Sequence, residues 1–184
     1  MRFPFDCIRR KQHAHAADTR DPRETTQRID TPLEPMDAPV LEGKKLALIS
    51  ILRAGNGLLD GVLELIPSAR VGFVGLYRDE KTARPVEYYS KLPQSQPVDV
   101  ALVLDPMLAT GGSAIAALNT LKEWGVPRIK LLSIIASSDG IAEVTASDPD
   151  TQIYITAVDP KLNDQKFIVP GLGDAGDRIF NTLG

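Results

Sequence analysis

Beyond Gly43 the chain alternates apolar runs with stretches in which apolar residues recur at helical spacing. The apolar runs are nearly continuous in Val, Ile and Leu, a pattern typical of strands buried on both faces of a parallel sheet. Strands are predicted over residues 45–52, 70–77, 98–105, 128–137 and 151–158. Helices are predicted over residues 58–65, 113–124, 139–146 and 175–181. This alternation predicts an α/β fold with a mainly parallel five-stranded sheet flanked by helices.

The first 42 residues differ in composition from the rest of the chain. They hold five prolines and no glycine, whereas all 14 glycines lie at or after Gly43. Residues 1–15 show no periodicity and are predicted to form an atypical, flexible arm, with one domain over residues 16–184. Residues 25–43 are predicted to form an extended hairpin with proline at its bend.

A charged segment of nineteen residues, 79–97, separates two of the predicted strands and has no core pattern. Segments of this length without regular structure are uncommon inside a compact domain and often serve as lids or binding loops. A solvent-exposed hairpin is the alternative interpretation of the same residues.

The net charge of −3 is unevenly distributed along the 184 residues. The first 28 residues hold seven Lys/Arg and four Asp/Glu, and the remainder holds fourteen and twenty. An acidic body argues against nucleic acid as a partner. No 18-residue apolar run predicts a membrane span, and the N-terminus lacks the apolar region of a signal peptide, so a cytoplasmic location is expected.

Histidine and cysteine are confined to the first fifteen residues, as Cys7, His13 and His15. Chemistry performed by the rest of the chain therefore uses no histidine base, no cysteine nucleophile and no His/Cys zinc site. A single cysteine also excludes an intrachain disulfide and is compatible with a reducing compartment.

The strongest chemical signal follows the third predicted strand, where residues 105–113 read DPMLATGGS. A buried strand ends in the carboxylate of Asp105, and a turn rich in Thr, Gly and Ser then opens a helix. Backbone N–H groups of such a turn bind anions, and a phosphate monoester is the natural guest. The turn is not a Walker loop, because the required Lys is absent. The alternative is an ordinary strand-to-helix turn with Ser113 as N-cap.

Two arginines follow other strands at the same predicted sheet edge. Arg53 ends the first strand and precedes a turn in which Gly55 and Gly57 would let the backbone approach a second anion. Arg78 follows the second strand. A surface position is the alternative for Arg53, and an ion pair with a neighbouring carboxylate is the alternative for Arg78.

Residues 171–176 read GLGDAG and match the GxGxxG pattern of dinucleotide-binding folds. That fold requires a βαβ unit and an acidic residue about 20 positions later. Only eight residues follow Gly176. A nicotinamide dinucleotide site is therefore rejected, and these glycines must serve another purpose.

Four segments together resemble the uracil phosphoribosyltransferases, a type I phosphoribosyltransferase family, from about Thr31 to Gly184. They are ISILRAGNGLLDGV, GLYRDEKTARPVEYYSKLP, VALVLDPMLATGGS and IVPGLGDAGDRIFNT. The resemblance implies the type I fold with a protruding β-hairpin at about 79–97. It implies transfer of the phosphoribosyl group of phosphoribosyl pyrophosphate (PRPP) to uracil, giving UMP and diphosphate, with Mg²⁺ held mainly through PRPP and water.

The resemblance also implies roles for individual residues. Asp105, Arg53 and Arg78 would be catalytic, and Asp105 would hold the ribose hydroxyls. PRPP would be bound by Arg53, Arg78, Asp105, Pro106, Met107, Leu108, Ala109, Thr110, Gly111, Gly112, Ser113 and Asp174. Uracil would be bound, largely by backbone groups, by Ile168, Gly173, Asp174 and Ala175. No metal site built from protein ligands alone is expected.

Further properties follow from the family by resemblance only. Some members are activated by GTP as allosteric enzymes, and members form dimers or larger homo-oligomers. Members usually begin with a longer region containing two or more helices, which residues 1–15 do not match. Two alternatives share the fold: a non-catalytic domain that senses PRPP or nucleotides, and a phosphoribosyltransferase for another base.

Overall fold

A computed structural model describes residues 24–41, 46–79, 85–93 and 98–182. The predicted arm at 1–15 lies outside these ranges. The strands are β1 (Glu24–Asp30), β2 (Pro35–Leu41), β3 (Leu46–Leu52), β4 (Arg70–Arg78), β5 (Pro85–Lys91), β6 (Val100–Leu104), β7 (Met107–Leu108), β8 (Ile129–Ser137), β9 (Gln152–Asp159), β10 (Lys161–Leu162) and β11 (Ile168–Val169). The helices are α1 (Asn56–Leu65), α2 (Gly112–Trp124), α3 (Ser138–Ser147) and α4 (Ala175–Phe180).

The central sheet has seven strands, with β5-β4-β3-β6-β8-β7 along its path and β9 paired to β8. The five predicted strands are β3, β4, β6, β8 and β9, and every pair among them is parallel, which confirms the predicted architecture. Two further strands enlarge the sheet. β5 pairs antiparallel with β4, and the two-residue β7 pairs with β8 beyond the end of β6.

Both faces of the sheet are covered by helices. On one face Leu118 and Leu121 of α2 pack in a cluster with Val103 of β6. On the other face Leu58 of α1 packs in a cluster with Leu102 of β6. Neighbouring residues of a strand point to opposite faces, so this central strand must be apolar at every position, which is why it reads as a continuous apolar run.

The predicted hairpin at 25–43 is confirmed in its described part. β1 and β2 are antiparallel from Glu24 opposite Leu41 to Asp30 opposite Pro35. The turn between them is organised by Thr31, whose Oγ1 accepts a hydrogen bond of 3.1 Å from the backbone N–H of Glu34.

The segment 79–97 is described only in part, since residues 80–84 and 94–97 lie outside the described ranges. Its described strand, β5, lies at the edge of the sheet with its last five residues exposed. β5 therefore lies within the β-hairpin that the resemblance implies at about 79–97. Apolar patterning alone leaves a lid and an exposed hairpin open here, because an exposed edge strand needs no apolar run. In the ranges that the structure covers, no helix is long and apolar enough to cross a membrane.

Candidate active site

A cavity of about 480 Å³ opens at the carboxyl ends of β3, β4 and β6, the edge at which ligands bind in parallel sheets. It brings together residues that are far apart in the chain. The predicted site residues that line it are Arg53, Asp105, Met107, Leu108, Ala109, Thr110, Gly111, Gly112, Ser113, Ile168, Gly173, Asp174 and Ala175.

Two predicted site residues differ from this set. Pro106 does not line the cavity, and its carbonyl oxygen accepts hydrogen bonds of 3.1 Å from Ile134 and Ile135 of β8. Arg78 is the last residue of β4. Its side chain lies outside what the structure describes, so its predicted role and its alternative ion pair both stay predictions.

The turn formed by residues 109–113, here called the phosphate turn, leads directly into α2. Gly111 is the N-cap at φ 82°, and the helix begins at Gly112 with no side-chain cap. The alternative interpretation of Ser113 as N-cap is therefore wrong. The first N–H groups of a helix have no intrahelical acceptor, so the amides at the start of α2, where Gly112 and Ser113 line the cavity, are available to an anion. The Ala109 N–H is different, because it donates to Met107 O at 3.1 Å.

Gly111 is also required by its neighbours. A Cβ at this position would lie 3.1 Å from Gly140 O and 3.2 Å from Val144 Cγ2. Both atoms belong to α3, which therefore packs closely against the phosphate turn. A left-handed backbone and a close helix together favour glycine here.

Asp105 follows β6 and is only 9% exposed. Its backbone N–H donates to Leu132 O at 3.1 Å, which continues the pairing of β6 with β8. Its Oδ1 accepts a long hydrogen bond of 3.4 Å from Met107 N. Burial raises the pKa of the Asp105 carboxyl to about 7, and the Met107 hydrogen bond opposes this only in part. The carboxylate is therefore poised to gain from donors or cations that a ligand brings.

Arg53 follows β3 across a cis peptide bond from Leu52. Its Nη2 lies 2.8 Å from Asp177 Oδ1, and its Nη1 donates to Thr182 Oγ1 at 3.2 Å. The side chain is about half exposed while it lines the cavity. A hydrogen bond from Thr182, and to a smaller extent one from Arg53, holds the pKa of the Asp177 carboxyl below its ordinary value, so this carboxylate is ionised at neutral pH.

The C-terminal segment, residues 168–182, forms the opposite wall of the cavity. It begins at the buried Ile168, and its backbone is fixed where the Gly171 N–H donates to Asp159 Oδ2 at 2.9 Å. Gly173 has φ 73°, and a Cβ there would meet nothing within 4 Å. Asp174 caps α4 by accepting from Asp177 N at 2.9 Å. Backbone groups at Gly173 are thus open to a ligand.

Several lining or supporting residues had no predicted role. Tyr77, Tyr88, Lys166 and Phe167 line the cavity, and Asp159, Asp177 and Thr182 hold its walls. For Asp177, the only indication in the sequence is its place as the second acid of the segment GDAGD, at residues 173–177. Lys166 adopts φ 66°, a left-handed conformation that no residue pattern indicates for a lysine.

Comparison with known proteins is consistent across sequence and structure. The family model of uracil phosphoribosyltransferase matches residues 14–182. Uracil phosphoribosyltransferases of Paracoccus denitrificans and Rhizobium rhizogenes are 57% and 54% identical over 164 residues, which cover 89% of this chain and 78% of each relative. A solved structure from Aquifex aeolicus has a TM-score of 0.84 at 33% identity, covering 91% of this chain and 80% of that one. The family model thus matches from residue 14, whereas the four motifs indicate a resemblance only from about Thr31.

Proposed function

The chain belongs to the uracil phosphoribosyltransferase family, and we propose that the residues assembled in its cavity bind PRPP and uracil side by side. The enzyme transfers the phosphoribosyl group from PRPP to uracil, giving UMP and diphosphate. The observation that carries the site proposal is the meeting of an anion-binding turn, a buried carboxylate and an arginine in one cavity. Each fits one part of PRPP.

The phosphate turn would hold the 5-phosphate of PRPP. The amides of residues 110–113 and the start of α2 supply N–H donors, and Thr110 and Ser113 add hydroxyls. A helix N-terminus also carries a partial positive charge, which favours a phosphate. These groups position the ribose ring over Asp105.

Asp105 would accept hydrogen bonds from the ribose 2- and 3-hydroxyls. Breaking the glycosidic bond generates positive charge on the sugar, as in the oxocarbenium-like transition state of glycoside hydrolysis. The buried carboxylate of Asp105 would stabilise that charge more than water would. The nucleophile is a ring nitrogen of uracil, so this chemistry needs no histidine or cysteine from the protein.

Arg53 and Arg78 would bind the diphosphate. Mg²⁺ would accompany the diphosphate, held mainly through PRPP oxygens and water. Asp105 and Asp174 supply the carboxylate oxygens that line the cavity. When bound, the ion would offset negative charge on the leaving diphosphate.

Uracil would lie against the C-terminal segment. Ile168 offers an apolar side chain, and Gly173, Asp174 and Ala175 offer backbone groups. Because Gly173 has open space where a side chain would stand, a flat base can approach the backbone closely. Recognition by backbone groups leaves little trace in side-chain patterns.

Three further properties are proposed on the resemblance alone. They are activation by GTP as an allosteric effector, assembly as a dimer or larger homo-oligomer, and a cytoplasmic location. The N-terminal arm at 1–15 and the single domain at 16–184 are proposed with them, with the domain supported by the family match over residues 14–182.

The test is incubation with PRPP and Mg²⁺ together with uracil, hypoxanthine, adenine or orotate, following release of diphosphate. Only uracil is expected to support release. Release with a different base of this set would assign that base instead. Binding of PRPP without release from any base would favour the sensing domain.

A further inference from the structure

The guanidinium of Arg53 is held by two residues of the C-terminal segment. Nη2 lies 2.8 Å from Asp177 Oδ1, and Nη1 lies 3.2 Å from Thr182 Oγ1. The two acceptors are joined to each other, since Thr182 Oγ1 donates to Asp177 Oδ1 at 2.6 Å. A backbone hydrogen bond of 3.0 Å from Thr182 N to Asp177 O closes the arrangement. We call Asp177 and Thr182 the arginine clamp.

The packing around the clamp brings α4 against the turn that follows Arg53. A Cβ at Gly176 would lie 3.6 Å from Arg53 Nη2, so the guanidinium runs along the helix backbone. A Cβ at Gly57 would lie 2.8 Å from Ile179 Cδ1, closer than real side chains come. A polar contact of Arg53 and an apolar contact of Ile179 therefore both hold α4 against the turn that follows Arg53.

A guanidinium has five N–H donors in a rigid plane. The clamp uses one N–H on each of the two terminal nitrogens, and three N–H groups remain for a ligand within the described surroundings. Arg53 also lines the cavity. The clamp can thus hold the guanidinium plane while the remaining donors bind an anion.

We propose that Asp177 and Thr182 are positioning residues that fix Arg53 for the diphosphate of PRPP. The inference rests on the proposed function of Arg53. It also connects the two halves of the site, because the side chain of Asp174 caps the same helix through Asp177 N. The segment that lines the uracil side of the cavity thereby sets the arginine on the PRPP side.

The experiment is a double-mutant cycle on steady-state kinetics with PRPP and uracil. Asp177→Ala removes the clamp's carboxylate, and kcat/KM for PRPP is expected to fall about 10- to 100-fold, since a misplaced binding group can cost that much. Arg53→Ala is expected to lower kcat/KM for PRPP by at least the same factor. The double variant is expected to match Arg53→Ala alone, because residues that act through one another are not additive.

Two variants at Thr182 test the clamp separately, in case Asp177→Ala lowers activity by destabilising the folded protein. Thr182→Val removes both hydroxyl bonds and is expected to lower kcat/KM for PRPP, and Thr182→Ser is expected to restore it. Asp150→Ala removes a carboxylate from an exposed turn outside this cavity and is the matched control. It should leave kcat and the KM for PRPP unchanged.

Additive effects of Asp177→Ala and Arg53→Ala would overturn the clamp, because Asp177 would then act independently of the arginine. Tighter PRPP binding in Asp177→Ala would also overturn it and would make Asp177 a competitor of the diphosphate. Diphosphate release by the wild-type protein with uracil tests the proposed function separately. Wild-type turnover together with additive variants would reject only the clamp.

Discussion

The phosphate turn and the C-terminal segment face the same cavity but are held in place by different interactions. The phosphate turn follows the two-residue β7 and leads into α2, and its shape depends on backbone hydrogen bonds, on the left-handed Gly111 and on one side-chain hydrogen bond that Ser137 Oγ donates to Ala109 O. The C-terminal segment has two short elements, and side chains from distant parts of the chain hold it, Asp159 to Gly171 and Arg53 to Asp177. The phosphate turn thus depends mainly on its own backbone and on the close packing of α3, whereas the C-terminal segment depends more on long-range side-chain hydrogen bonds.

With the proposed roles, this difference would separate binding of the phosphate from placement of the base. Changes in the phosphate turn should act through PRPP and through folding together, because the same backbone serves both. Changes at the anchors of the C-terminal segment should act on kinetics with little effect on folding, because those side chains are largely exposed or half-buried.

Asp105 stands between the two walls, and its substitution is expected to have the largest effect. Asp105→Asn preserves the shape of the side chain but removes the carboxylate that stabilises charge on the sugar. We expect kcat to fall about 100-fold, the scale of losing one electrostatic stabiliser. Steady-state turnover together with circular dichroism checks the result. Turnover at the wild-type rate would remove Asp105 from the mechanism.

The same substitution should stabilise the folded protein at high pH. Burial raises the pKa of Asp105 from 3.8 to about 7, so between these values the folded state holds a proton that the unfolded chain has lost. The free energy of unfolding therefore falls as pH rises through this window. Asp105→Asn lacks this loss, and its advantage should grow by a few kcal/mol from pH 5 to pH 8.

Thermal unfolding of both proteins at the two pH values measures this advantage. A pH-independent difference between the wild type and Asp105→Asn would show that Asp105 titrates normally in the folded state. In that case burial would not raise the pKa of the Asp105 carboxyl.

The two walls can be compared through alanine substitutions at Gly111 and Gly173, which both have left-handed backbones. Alanine carries the left-handed backbone penalty of about 1–2 kcal/mol at both positions. Only at Gly111 does its Cβ also meet a close contact, 3.1 Å from Gly140 O, whereas the Cβ at Gly173 meets open space. We expect Gly111→Ala to lower Tm more than Gly173→Ala and to raise KM for PRPP. Gly173→Ala should mainly raise KM for uracil, because its methyl group enters the cavity.

Steady-state kinetics with each substrate varied in turn separates the two effects. If Gly173→Ala raised KM for PRPP and left that for uracil unchanged, the assignment of the two walls would be reversed.

The smallest predicted effect concerns the anchor at Asp159. Asp159→Asn keeps an oxygen that can accept from Gly171 N but removes its charge, so about 0.5–1.5 kcal/mol of hydrogen-bond free energy is at stake. KM for uracil is expected to rise a few fold with Tm nearly unchanged. The uracil saturation curve is the measurement, and a wild-type curve would show that Gly171 needs no charged anchor.

Much of the sheet and of the phosphate turn could be predicted from the sequence. Strands such as β6 are buried on both faces and so carry an unbroken apolar run, and the turn is marked by a short stretch of glycines and hydroxyls between a strand and a helix. The start of α2 was misplaced by one residue, because serine is a good N-cap by composition while the φ of 82° at Gly111 starts the helix earlier.

The arginine clamp could not be predicted in the same way. Arg53 and Asp177 are 124 residues apart, and apolar periodicity says nothing about which side chains pair across that distance. β5 lies in the β-hairpin that the resemblance implies at about 79–97, but apolar periodicity alone does not predict it, since an exposed edge strand has no core face to mark it. Patterns thus reveal what the backbone and core require, whereas long-range side-chain pairs need the fold itself.

In the proposed site UMP would span both walls, since it carries the phosphate and the uracil in one molecule. The most direct test is therefore the crystal structure of the protein with bound UMP. The phosphate is expected within hydrogen-bond distance of the backbone amides of residues 110–113, with the ribose hydroxyls at Asp105 and the base against Gly173 and Ala175. A phosphate bound away from this turn, or a base lying outside the C-terminal segment, would contradict the account.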